Sequence, residues 1–412
     1  MARRRSSRAL RNDAEIRLAT VKLINAVGID AISFRDVGRA AKLSHGALYA
    51  RFEDVEELLV DLWSEVLEAR AKFLLRDVVR LVKEPTAKSV GTFVRDWRQP
   101  SPVDVAMVHV LLTSRRFVVV REEVETFIHD DLETCAPELS AHQYSRALTL
   151  FAFALFGIIA SSQDLLPIDD VGGLQTLLLA SLRVTPHEIV AHESSDESEF
   201  ASPHVAGDLS ARLAFHTFVT VGSSGYARAT ISRITRRADC SPGAIYKVFP
   251  SKEELVIHAV RTIMEAPWIT LSSLANILEP GHLSHILYAT ASDVSSTRKF
   301  FTLEVAIASV HCEKIRSAVQ LRLRDLETTV SLLDELDAPT RARLTDVIRI
   351  VTYLTLGVGF LSTMTRAADR TDFTQIAEPL RLAMLEHLVP DWSDVGRQLK
   401  ILAGATPTFV GD

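Results

Sequence analysis

The chain contains one unit written twice. Residues 16–58 and 213–255 align without a gap at a fixed offset of 197 (213 − 16), and 12 of these 43 positions are identical. The identities cluster rather than scatter. Ser44, Gly46, Ala47, Tyr49, Phe52, Glu56, Glu57 and Leu58 recur as Ser241, Gly243, Ala244, Tyr246, Phe249, Glu253, Glu254 and Leu255. Gly28 recurs as Gly225, and Ala41 as Ala238. A repeat spaced by nearly half of the 412 residues dictates two tandem units of about 200 residues each.

Composition narrows the class of those units. With 47% hydrophobic and 24% charged residues the chain matches soluble globular proteins and excludes collagen-like or fully disordered ones. Cys135, Cys240 and Cys312 lie far apart with no CxxC, so neither a disulfide framework nor a zinc cage is expected, and a cytoplasmic, reducing location fits. The longest apolar stretch, Ala147–Ala160, is shorter than the roughly 20 residues of a spanning helix and reads as a buried core helix, with no membrane partner. Met1–Leu10 is Arg-rich but runs directly into Asp13 and Glu15 of a capped helix, which argues against a transit peptide.

Thr185–Leu209 carries six acidic residues, Pro186, Pro203 and several serines, without Lys or Arg, and reads as a flexible acidic linker. On either side the pattern is all-α. Ile16, Ala19, Leu23 and Val27 share one face of a helix over about Asn12–Val27, stopped by Gly28. Leu213, Phe218 and Val221 repeat it before Gly225. Ser33 and Thr230 are N-caps for a second helix, and Ser44 and Ser241 for a third, with Pro242 at a first helical position. Asp54 with Glu57, and Ser251 with Glu254, form capping boxes that open a fourth.

Two short helices joined by a three-residue turn, Lys42–Ser44 or Asp239–Ser241, make a helix-turn-helix. The second helix of such a pair enters a DNA major groove with its N-terminal residues at the base edges. Gly46 and Gly243 fit this role, because glycine costs a helix about 1 kcal/mol relative to alanine unless bulk must be kept away. Tyr49 and Tyr246 offer phenols to phosphate oxygens.

Ser44-His-Gly-Ala-Leu-Tyr-Ala-Arg-Phe52 and Ser241-Pro-Gly-Ala-Ile-Tyr-Lys-Val-Phe249 resemble the recognition helix of the tetracycline-repressor (TetR) family, and Lys252-Glu-Glu-Leu255 resembles that family's fourth-helix start. The resemblance spans roughly 45 residues of each unit. It implies an all-α chain of two tandem units, each a three-helix DNA-binding domain followed by a larger helical ligand-binding and dimerisation domain. The implied boundaries are 1–59 and 209–258 for the DNA-binding domains, and 60–184 and 259–392 for the larger domains. A linker at 185–208 and a loosely held tail at 393–412 complete the division.

The resemblance also implies roles. His45, Ala47, Pro242 and Ala244 would read base edges, and Tyr49, Tyr246 and Lys252 would meet phosphates. Ser33, Thr230, Arg51 and Lys247 complete the DNA-facing set. Copy 1 has Val55 where copy 2 has Lys252, but Arg3, Arg4, Arg5, Arg8 and Arg11 form a basic arm able to follow a backbone or enter a minor groove. Copy 2 instead has Arg228, Arg233, Arg236, Arg237 and Lys247 around its motif. Residues 1–60 hold 11 basic and 8 acidic residues, and 208–258 hold 7 and 4, so each segment is +3 within a chain of −6.

The last helices, Leu174–Leu182 and Ile376–Leu388, with Ala147–Gln163 and its echo Thr345–Met364, are implied to build a dimerising bundle. Trp97, Phe117, Phe151, Phe156, Trp268, Phe300 and Tyr353 either line a ligand pocket or are plain core. Cys240 is either a small buried residue or a redox switch. No nucleophile elbow, phosphate-binding loop, dinucleotide turn or metal-spaced cluster is present, so no enzyme activity, cofactor or metal is expected. The expected function is a sequence-specific DNA-binding regulator, a repressor released by a small apolar effector, with the two copies pairing inside one chain or the chain forming a homodimer. The rival is a helical ligand-binding or scaffold protein whose motifs are vestigial. Double-stranded DNA is the expected partner, and a nucleoid-associated, cytoplasmic site the expected location.

Overall fold

A computed structural model describes residues 7–133, 139–184, 209–263, 271–292, 296–331 and 333–405. Every regular element among them is helical. In the first half α1 (Ser7–Val27), α2 (Phe34–Ala41) and α3 (His45–Tyr49) precede α4 (Val55–Leu62), which continues through a π-helical turn into α5 (Glu68–Lys83). Then follow α6 (Ala87–Arg98), α7 (Pro102–Thr113), α8 (Val118–Phe127), α9 (Ala141–Gln163) and α10 (Val171–Arg183).

The second half restarts with α11 (Leu209–Ser224), α12 (Ile231–Arg237), α13 (Pro242–Val248) and α14 (Lys252–Ile263). It goes on with α15 (Leu271–Asn276), α16 (His282–Ser292), α17 (Ser296–Ala308), α18 (Glu313–Leu323) and α19 (Asp325–Ser331). It closes with α20 (Ala338–Met364), α21 (Thr374–His387) and α22 (Trp392–Ala405).

Side-chain caps set many of the starts, because each supplies an acceptor to an otherwise orphaned backbone N–H. The Ser33, Ser44 and Asp54 side chains accept from the backbone of Asp36, Ala47 and Glu57, and Thr230 and Ser251 do the same for Arg233 and Glu254. The stops repeat as well. Gly28 and Gly225 adopt φ of 78° and 84°, a conformation that side chains resist, and so end α1 and α11 at equivalent positions.

The core lies where the halves meet. α9 packs along α20 and α10 along α21. Trp97 of α6, Phe153 and Phe156 of α9, and Tyr353 and Phe360 of α20 stack edge-on or tilted with centroids 5.0–5.9 Å apart. The Tyr353 hydroxyl donates to the Leu166 carbonyl at 2.9 Å. The buried Arg146 guanidinium donates to the carbonyls of Leu182, Val184 and Gln375, tying α9, the end of α10 and the start of α21 together. Among the aromatics that either line a pocket or pack a core, these are core; Trp268 lies outside the described residues.

α9 and α20 are long and apolar enough to cross a membrane, but most of each apolar stretch is buried, largely against the other. Two expectations need correction. α1 begins at Ser7 rather than near Asn12, so Arg8 and Arg11 are helical residues and not part of an extended arm; Ala9 and Leu10 are strong helix formers and no breaker precedes Gly28. Of the C-terminal tail, residues 392–405 are helical and held. Trp392, Val395 and Leu399, at helical spacing, are buried in α22, which packs on α15. Arg3–Arg5, the linker at 185–208 and Cys135 lie outside the described residues.

Candidate nucleic-acid interface

Each copy presents a short helix held by one apolar peg. Leu48 of α3 and Ile245 of α13 are fully buried, and Phe52 and Phe249 close the helix ends beneath the surface. The turn before each helix has a left-handed residue at the same position, Lys42 at φ 57° and Asp239 at φ 49°, which turns the backbone sharply enough to set α2 against α3 and α12 against α13.

The opposite faces are open. Ser44, His45, Gly46 and Tyr49 are exposed on α3, with Ala47 half-buried; Ser241, Pro242, Gly243, Tyr246 and Lys247 are exposed on α13, with Ala244 half-buried. Tyr49 and Tyr246 are 56% and 59% exposed, unusual for residues of their size. A Cβ on Gly46 would meet no atom within 4 Å, and one on Gly243 only the Ser241 Oγ at 3.9 Å. Among the described residues nothing requires glycine at these two positions. Tyr49 is steered from below by edge contacts with Phe34 and His45, at 4.9 and 4.7 Å.

Exposed cations flank each motif in the chain. Arg35, Arg39 and Lys42 stand beside α3, and Arg233, Arg236 and Arg237 beside α13. Two residues of the expected DNA-facing set are committed elsewhere. The Arg51 guanidinium donates to the Asp13 carboxylate and the Ala47 carbonyl, both at 2.8 Å, and so braces α3 against α1. Lys252 is half-buried; its ammonium donates to the Tyr226 carbonyl at 3.0 Å and stands 4.1 Å over the Tyr226 ring, and burial holds its pKa below the usual lysine range. Ser33 and Thr230 cap α2 and α12, as the spacing requires.

Sequence reasoning missed what lies between the motifs. Arg115 and Arg116, from a 3-10 turn after α7, meet Asp30 of the first unit and Glu304 of α17 in a buried ionic cluster. Arg228 was legible as a cation near the second motif; it pairs with Asp30 at 3.4 Å and lies over the Phe117 ring. No spacing rule singles out Arg116.

Residues 16–62 and 221–259 match the model for bacterial regulatory proteins of the tetR family. The chain carries two TetR-type units in tandem. The matched segments are α1–α4 and the end of α11 through α14, the two motif-bearing regions. Among curated proteins none matches the chain. The two matched segments support a DNA-binding transcriptional regulator, and each contains a helix-turn-helix pair, α2–α3 and α12–α13.

Proposed function

We propose that this TetR-type chain is a sequence-specific repressor that engages one duplex with both motifs at once, as an internal pseudo-dimer, and lets go when a small molecule binds its helical bodies. The observation that carries the reading is the pair of empty glycine faces at Gly46 and Gly243. Glycine in a helix's first turn is less favourable than alanine without a reason, the described residues supply none, and a duplex backbone pressed against those faces would. His45, Ala47, Pro242 and Ala244 would then read base edges, and Tyr49 and Tyr246 would bond phosphates.

Pairing within one chain is supported by the packing of α9 and α10 on α20 and α21, which gives each half the partner an ordinary dimer would provide. Release by a ligand follows if the ligand favours a different tilt of the bundle helices. A cleft of about 600 Å³ between Ile128 and His129 of the first half and Met364 and Arg366 of the second is a place from which a ligand would act on both.

Selection of bound sequences from a random duplex pool tests the reading. A recovered consensus bound with a steep negative salt dependence supports it, since phosphate contacts release counterions. Failure to enrich any sequence at low salt would leave the rival reading, a helical ligand-binding protein with vestigial motifs.

A further inference from the structure

The equivalent turns of the two DNA-binding units converge on one set of charges, buried except for half-exposed Arg228. Asp30 lies in the turn between α1 and α2, and Arg228 in the corresponding stretch between α11 and α12. They pair with each other at 3.4 Å. Asp30 also accepts from Arg116 Nη1 at 2.5 Å, and Arg116 Nε lies 3.1 Å from Glu304. Arg115 completes the set, donating to Glu304 at 2.8 Å and to the Gly222 carbonyl in the last turn of α11 at 2.9 Å.

The stop glycines touch the same place. A Cβ on Gly28 would lie 2.5 Å from the His311 ring, and one on Gly225 would collide with the Arg116 guanidinium. Arg116 is 3% exposed and Glu304 1%.

Such a cluster is a poor device for stability alone. Desolvating ions consumes most of what their attraction returns, and apolar residues of similar volume often serve a fold as well. Burial pushes the Glu304 carboxyl up to about 7 even though Arg116 and Arg115 pull it down. What a buried guanidinium does supply is direction, because its planar fork of donors admits few geometries, whereas apolar contacts slide. Here Nη1 donates to Asp30 of the first half, and the same guanidinium stands 3.1 Å from Glu304 of the second half as a close buried ion pair.

We propose that Arg116 is a positioning residue that fixes the separation of the two DNA-binding units, so that the chain accepts half-sites at one spacing and rejects neighbouring ones. The inference rests on the reading that both motifs engage one duplex. Adding one base pair between half-sites moves the second by about 3.4 Å and turns it by about 35°. A hinge between the units would follow that displacement; the Asp30–Arg116–Glu304 bridge does not.

The test uses the full chain and the consensus recovered by selection, rebuilt with one or two base pairs added or removed between its halves. The wild type is expected to lose about tenfold or more in affinity for each single-pair change. The double variant Arg116→Met with Glu304→Gln keeps volume, leaves Asp30 its Arg228 partner and leaves Arg115 an acceptor. It is expected to fold cooperatively, to bind the original site within about threefold, and to lose less than about threefold on the altered spacings. Arg116→Lys, with one ammonium in place of the fork, is expected to fall between the two.

If the folded double variant keeps the wild-type spacing penalty, the bundle alone sets the separation and the proposal is overturned. A wild type that binds its consensus with no spacing preference overturns it too. A wild type that selects no sequence at all overturns the proposed function instead, and the inference falls with it.

Discussion

Gly357 of α20 lies so close to Ala152 of α9 that a Cβ on it would come within 2.5 Å of the Ala152 carbonyl oxygen. The contact joins the two halves of the chain backbone to side, and a backbone atom cannot swing aside. Gly357→Ala is expected to destabilise the protein by about 1–3 kcal/mol, the usual cost of overpacking a tight core. Denaturant unfolding checks it; an unchanged midpoint would mean that the helices separate freely at that point.

At the DNA-facing glycines the expected sign is opposite. Gly46→Ala and Gly243→Ala add a methyl into open space and should leave stability unchanged or raise it by up to about 1 kcal/mol. Each should nonetheless weaken duplex binding. Stability and affinity moving in opposite directions is the signature; affinity unchanged with both methyls in place would show that no duplex approaches those faces.

Tyr49→Ala and Tyr246→Ala remove exposed rings, and each should change stability by no more than about 0.5–1 kcal/mol. Binding should weaken to a similar extent for every sequence tested, as expected for phosphate contacts. Replacing His45 should instead change base preference at one position, by about 1–3 kcal/mol.

Much of this was legible in the sequence, and the boundary has a physical cause. The helix-turn-helix units rest on contacts within 50 residues, such as caps, stop glycines and the Leu48 and Ile245 pegs, so local pattern specifies them. Contacts between the halves are not local. Gly157 and Gly357 are matched where Thr345–Met364 echoes Ala147–Gln163 at an offset of 200 (357 − 157), yet Gly157 faces the Trp97 ring of its own half whereas Gly357 faces Ala152 of the other. A repeat shows that two positions were once alike, not that they still pack alike. Lys252 shows the same limit: its position suits a phosphate, and Tyr226, 26 residues earlier, holds the ammonium in a contact no local pattern showed. Arg116 escaped notice because its partners, Asp30 and Glu304, lie 86 and 188 residues away (116 − 30 and 304 − 116).

Two buried groups give the protein opposing pH responses. His109 of α7 is fully buried and its pKa is lowered to about 3, chiefly by desolvation and then by nearby His311 and Arg116. The unfolded chain takes up that proton more readily than the folded one, so stability is full above about pH 6.5 and is lost as pH falls toward 3. Glu304 is raised to about 7, so its contribution is full below about pH 4.5 and is lost as pH rises through 7. His109→Leu should flatten the acid side of the stability profile. Glu304→Gln should gain on the wild type steadily between about pH 5 and pH 8. Chemical unfolding at each pH checks both, and parallel profiles for wild type and variants would remove these groups from the account.

The reading residues of the two copies differ, with His45 against Pro242 and Ala50 against Lys247. The preferred site should therefore consist of two unlike half-sites about one helical turn apart and not a true palindrome. A perfectly palindromic consensus would mean that two chains present the same copy to DNA.

The stoichiometry of the complex tests the central claim most directly. Sedimentation of the protein on its selected duplex at micromolar concentration should give the mass of the duplex plus one chain of 45.6 kDa. A complex holding two chains per duplex would contradict the reading of two motifs acting from one chain.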